Sequence, residues 1–176
     1  MANIVSTTLH IKNTNEEITS FLSEVTTDSG DFDEIKLVNL LFETEFVDYI
    51  EYDWSTEHLG SKSLHIDDIS VFESGSIQIR LETSWQSPYG LLKKLGEKVN
   101  TIHSDSYIVG TYTDESYEPM GAFVFSNGFD EMEDLDIEID FDEMFENDEY
   151  EDEIYFELEK LEKELEVFYK EHTNNR

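Results

Sequence analysis

Residues 63–99 read SLHIDDISVFESGSIQIRLETSWQSPYGLLKKLGEKV. Two runs, Ser63 to Phe72 and Ser76 to Trp85, flank Glu73-Ser74-Gly75, the signature of a β-hairpin. Ser87-Pro88 then opens a helix whose apolar face is Leu91, Leu92, Leu95 and Val99, with proline in the first turn. On the N-terminal side, Val5, Thr7, Leu9 and Ile11 alternate with Ile4, Ser6, Thr8 and His10, which predicts a first strand. Asn13 to Asn15 can cap a helix in which Ile18, Phe21, Leu22 and Val25 fall at helical spacing. Residues 34–42 (EIKLVNLLF) fit a short helix or an irregular packed segment, and the pattern leaves both open. Phe46 to Trp54, aromatic and β-branched, is expected as a strand. On the C-terminal side, Ser106 to Thr113 and Met120 to Phe125 form a second β-pair around residues 114–119. Strand pairs and two helices predict an α+β fold, an antiparallel sheet covered on one face by helices. The order strand, helix, strands, helix, strands is that of a ferredoxin-like split βαβ arrangement.

Length and composition fit that reading. The 176 residues suit one domain, or one domain with an appendage. Hydrophobic residues make up 38% and aromatics 13%, enough for a core, so a wholly disordered chain is not expected. Charge is the outlier: 11 Lys+Arg against 43 Asp+Glu gives −32. Such a chain does not bind DNA, RNA or an anionic membrane through a basic patch. It attracts basic proteins and cations instead. Without cysteine, disulfides, thiol catalysis and Cys-ligated zinc are excluded. The start MANIVSTTLHIKN has no charged leader and no long apolar run, so no signal peptide is expected. No stretch of about 18 apolar residues occurs, so no membrane span is expected. The expected location is the host-cell cytoplasm.

The charge is unevenly spread. Residues 129–176 hold 21 acids and 4 bases, a net of −17; residues 1–128 carry the remaining −15. The charge density of the last 48 residues is therefore about three times that of the rest. A boundary is expected at the turn dipeptide Asn127-Gly128. It separates a ferredoxin-like domain, 1–128, from an acidic strand–helix extension, 129–176. In the extension, Leu135, Ile137, Ile139 and Phe141 alternate with Asp134, Asp136, Glu138, Asp140 and Asp142. That period predicts a strand with one apolar and one wholly acidic face. Tyr150, Ile154, Leu158, Leu161, Leu165 and Phe168 then step by fours and threes, a helix with an apolar stripe. Glu159–Lys163 and Glu166–Lys170 are favourable i,i+4 pairs.

Three patches carry a resemblance. MANIVSTTLHIKN, LETSWQSPYGLL and VGTYTDESYEPMGAFVFSNG resemble the Api-like (YubB-like) family of phage and plasmid proteins with a ferredoxin-like domain. The matching residues are Met1, Ala2, Asn3, Thr83, Trp85, Pro88, Tyr112, Asp114, Glu115 and Gly121. The likeness covers about residues 1–128 and departs at 52–66, where that family usually has a second Trp-rich motif. It implies a fold and a mobile-element origin, not a reaction.

Motifs for catalysis are sparse. His10, His58, His65, His103 and His172 have no metal-ligand spacing. His65-Ile66-Asp67 could orient a base or bind a metal, but a solvated polar pair is the simpler reading. The acids of 134–142 and 148–153 offer oxygen ligands without the central glycine or ligand order of an EF-hand. No serine-nucleophile motif, phosphate-binding loop or dinucleotide fingerprint occurs. Trp54 and Trp85 read as core or edge aromatics rather than a stacking platform. The expectation is a protein that is not an enzyme and needs no cofactor or metal.

The sharper reading is nucleic-acid mimicry. A DNA duplex presents one negative charge per ≈1.7 Å of axis. A protein made to occupy a DNA-binding channel needs ordered carboxylates on a folded scaffold. The simpler reading is that acidity only confers solubility or reflects a salt-rich host, but the charge far exceeds the few units that solubility needs. The expected partner is therefore a basic nucleic-acid-binding host protein, such as a defence nuclease, with no direct contact to nucleic acid. Asp134, Asp136, Glu138, Asp140 and Asp142 would supply one row of phosphate-like charges. Asp148, Glu149, Glu151, Asp152 and Glu153 would continue it. The alternative is a small interaction module that forms a homodimer through the apolar stripe of helix 150–169.

Overall fold

The computed structural model describes residues 3–27, 32–72, 74–137 and 148–174, with the side chains of 148–151 and 174 outside the description. Strand β1 (Ile4–Lys12) is followed by helices α1 (Glu16–Glu24), α2 (Glu34–Phe42) and α3 (Tyr52–His58). The hairpin strands β2 (Leu64–Val71) and β3 (Ile77–Ser84) lead to helix α4 (Tyr89–Ile102). Strands β4 (Tyr107–Asp114), β5 (Met120–Ser126) and β6 (Phe129–Asp134) come next, and α5 (Asp148–Asn174) is the last described element. All six strands lie in one antiparallel sheet, in the order β2-β3-β1-β4-β5-β6. Among the described residues no helix is long and apolar enough to cross a membrane.

The alternation of β1 sends Val5, Leu9 and Ile11 to one face, where Ile79, Leu81, Ile108 and Phe123 join them. Helices α1, α2 and α4 cover this face. Asn15 caps α1 by accepting from Ile18 N at 3.0 Å, and Asp33 caps α2 by accepting from Lys36 N at 2.9 Å. The segment 34–42 is thus a helix. Leu91, Leu92, Leu95 and Val99 of α4 are all buried, as their spacing requires.

One expectation about the elements needs correction. Phe46 to Trp54 forms no strand. The Asn39 side chain holds the start of the segment as a loop, donating to Phe46 O at 2.8 Å and accepting from Phe46 N at 2.9 Å. Trp54 then sits on α3 among Phe42, Phe46 and His58, with ring centroids 4.6–5.2 Å away. The aromatic content therefore serves a side-chain cluster rather than a strand ladder. Helices α1, α2 and α4 share one face, and α5, from the C-terminal extension, packs on the opposite face of the sheet. There Leu165 and Tyr169 meet Tyr107, Val109, Ala122, Val124 and Phe129. Asn127 and Gly128, the expected boundary, form the turn between β5 and β6, so the acidic segment supplies an edge strand to the common sheet. Gly128 takes φ 77°, a left-handed conformation suited to glycine.

Candidate acidic docking surface

The acidic segment is held in place by its apolar members. Strand β6 ends at Asp134, where the alternating sequence begins, so the ladder stops earlier than the alternation predicts. Leu135 N still donates to Met120 O at 2.8 Å. Leu135 and Ile137 pack against Met120, Ile154 and Leu158, while Asp136 between them is exposed. Inside–outside alternation therefore survives beyond the strand, through packing on the N-terminal half of α5. Of the expected five-carboxylate row, Asp134 ends strand β6 and Asp136 follows it outside the strand, and Glu138, Asp140 and Asp142 lie outside the described residues.

Asp134 is exposed, but its carboxylate is engaged in a hydrogen bond rather than free. It lies across β5 from Tyr112, whose hydroxyl donates to its carboxylate. Gly121, between them in register, makes room: a Cβ there would overlap the Tyr112 hydroxyl and Glu133 O. Burial, then the bond to Asp134, pushes the Tyr112 phenol above its ordinary range. Asp130, two pleats away on the same side, accepts from Lys93 Nζ at 2.5 Å and from Tyr89 Oη at 2.9 Å. Those two bonds, Lys93 first, hold its carboxyl below the usual range. Asp130 and Asp134 thus fasten the edge strand to α4 and β4. Glu131 and Glu133 leave β6 on the other side and are exposed.

Helix α5 carries a further part of the exposed charge. Asp148, Glu149 and Glu151 stand in its first turns, and Asp152 and Glu153 are exposed on it. Acids at a helix N-terminus are favoured by the backbone dipole. Ile154, Leu158, Leu165 and Tyr169 are buried and Leu161 partly so, which fixes the helix to the sheet. Phe168 ends the expected stripe only in part: it is half exposed and touches Phe129, while Tyr169 takes the buried place. The expected i,i+4 pairs form, Lys163–Glu159 at 3.4 Å and Lys170–Glu166 at 3.0 Å. Glu162 is largely shielded, and burial pushes its carboxyl up, opposed by Lys12. Glu166 is different: burial pushes it up, but hydrogen bonds from Tyr107, at 2.6 Å, and Lys170 outweigh this and leave it lowered.

Between Phe129 and Glu159 the sequence contains 17 acids and no Lys, Arg or His. The packing of Leu135 and Ile137 under Ile154 and Leu158 brings the two ends of this run together. Asp136, Asp152, Glu153 and Glu159 are exposed on these two ends, and so are Glu131 and Glu133 on β6. The last two and Glu159 were outside the sequence expectation. The signal for them was the same absence of bases, read on either side of the alternating stretch.

The His65 motif has a structural role. Its Nδ1 lies 2.9 Å from Glu34 Oε1 and its Nε2 3.3 Å from Asp67 Oδ1, so both ring nitrogens are engaged. Glu34 also accepts from Ile66 N at 3.0 Å, covering a backbone donor of edge strand β2. Among the described residues no group of three His, Asp or Glu is arranged to hold a metal ion. Trp85 is half exposed with φ 80°, and Lys62 Nζ lies 4.0 Å from its ring centroid. Comparisons with protein-family models, curated proteins and solved structures find no match to this chain.

Proposed function

We propose that this protein is a non-catalytic nucleic-acid mimic from a phage or mobile element. It occupies a basic nucleic-acid-binding surface of a host protein, in the manner of an anti-restriction or anti-CRISPR inhibitor. One observation carries the reading: the two described ends of a base-free acidic run are anchored to the sheet through Leu135 and Ile137 on one side and Ile154 and Leu158 on the other. Carboxylates on a fixed rod keep their spacing when they meet a row of Lys and Arg, so little ordering entropy is lost on binding. Asp136, Asp152, Glu153 and Glu159, with Glu131 and Glu133, are the residues that would stand for phosphates. The resemblance to the Api-like family supports a mobile-element origin. The order β2-β3-β1-β4, with helices inserted after β1 and after β3, supports a ferredoxin-like unit extended by β5 and β6.

The host cytoplasm is where such a target would be met. The test is capture of the host partner on the immobilised full chain, followed by competition. Addition of the protein should displace a fluorescent DNA or RNA duplex from the captured partner, and the displacement should weaken steeply with salt. Partners that bind without regard to salt and keep their nucleic acid would count against mimicry.

A further inference from the structure

We infer that Tyr49, Tyr52 and Trp85 form a docking surface for an arginine-bearing segment of a partner protein. The inference does not rest on the mimicry reading and uses none of its carboxylates. Trp85 follows β3 with φ 80°, a left-handed conformation in which a bulky side chain is an outlier and glycine the natural occupant. Its ring is nevertheless 52% exposed, so no core position demands an indole there. Strain kept at an exposed ring points to a use for that ring. Tyr52, the first residue of α3, is 53% exposed. Lys62 Nζ joins the two rings, 4.0 Å from the Trp85 centroid and 5.3 Å from that of Tyr52. Tyr49, 69% exposed, lines a cavity of about 360 Å³ together with Lys62, Ile50 and Leu64, which makes the surface continuous.

Ring chemistry and charge select the occupant. An ammonium of the chain itself lies over both rings, so a cation is what they accept. The exposures hold with Lys62 in place, so about half of each ring stays open to a partner. Residues 45–57 carry five exposed carboxylates, Glu45, Asp48, Glu51, Asp53 and Glu57, and no Lys or Arg. Lys62 brings one positive charge against these five, which leaves the rim attractive to a further cation. Glu51 and Asp53 flank Tyr52 in the chain. A guanidinium is planar, so it stacks on an aromatic face while its N–H fork reaches a neighbouring carboxylate; an ammonium is a compact point charge without that fork. A free quaternary ammonium ligand would need rings that close around it, whereas these are half open and share Lys62. Tyr, Trp and Arg are also the side chains that carry most of the energy of protein interfaces.

The probe is a peptide of alternating arginine and glycine, titrated into the full chain carrying Trp54→Phe, which leaves Trp85 as the only indole. Trp85 emission should change saturably, and a lysine–glycine peptide of equal charge should bind more weakly. Tyr52→Ala should raise the dissociation constant roughly tenfold. Trp85→Gly, read by calorimetry in the otherwise unaltered chain, should raise it by roughly as much. The melting temperature of that variant should hold or rise, because glycine suits the backbone at this position. Equal binding of the two peptides, or affinity unchanged in both variants, would leave only diffuse attraction to the acids and overturn the inference. A lower melting temperature in Trp85→Gly would make the ring structural and overturn it as well.

Discussion

Tyr112 and Asp134 illustrate how a single exposed acid can be tied into the sheet. Phenol and carboxylate meet over Gly121, and the acid that opens the alternating stretch becomes a fastening for the sheet edge. Tyr112→Phe should lower stability by about 0.5–1.5 kcal/mol, the usual net worth of one hydrogen bond. Urea unfolding measures it, and an unchanged midpoint would remove this bond from the account. His10 supplies a pH test. Burial, and then Lys12, lower its pKa, with Glu166 opposing from α5. A lowered imidazole pKa means that the unfolded chain takes up the proton first. The stability of the neutral ring is present above the ordinary histidine range and is lost as pH falls through it. Urea midpoints should therefore drop between neutral pH and about pH 5, and His10→Gln should reduce that drop. An equal slope in both proteins would assign the pH dependence to the carboxylates.

At the level of elements, the alternating and helical segments were the legible ones. The hairpin β2–β3, helix α4 and strand β1 fall where periodicity places them, because one buried face sets the pattern for each, and β4 and β5 fall where their apolar runs place them. The second layer was readable too, but from a different signal. Met120 to Phe125 is a continuous apolar run, and a strand buried on both faces needs a cover on each. The stripe of α5 was the available cover. Phe46 to Trp54 failed because β-propensity describes aromatic surface and not its destination, and a long-range side-chain cluster claimed the rings. The candidate site was legible in its charge and in two exposed residues of α5, Asp152 and Glu153. It was not legible in the hydrogen bond that engages Asp134, which depends on a tyrosine two strands away. The anchoring of α5 gives a prediction at this scale. Leu158→Ala should cost roughly 2–5 kcal/mol, as for a filled core position, and Leu161→Ala less, since Leu161 is only partly buried. Equal, small losses at both positions would mean that the helix is not packed as described.

For the whole molecule, a charge of −32 on a chain of this size makes self-repulsion a standing cost of the compact state. Raising salt from a few millimolar to ~0.15 M shortens the reach of each charge to about 8 Å. The melting temperature should therefore climb with salt, and a flat profile would contradict the premise that the acids are held closer together in the folded chain than in the unfolded one. A natural protein carries such a cost when the charge has a use, and the base-free run fixed to α5 is where that use is proposed. The most direct measurement replaces Asp136, Asp152, Glu153 and Glu159 with Asn or Gln and titrates the variant against the captured host partner, with duplex displacement as the readout at two salt concentrations. A matched set at Glu16, Glu17, Glu24 and Glu43 serves as the control. The account predicts that the first variant folds with no loss of melting temperature and displaces the duplex much more weakly, while the control set matters less. Full displacement by the first variant, with the loss appearing only in the control set, would contradict it.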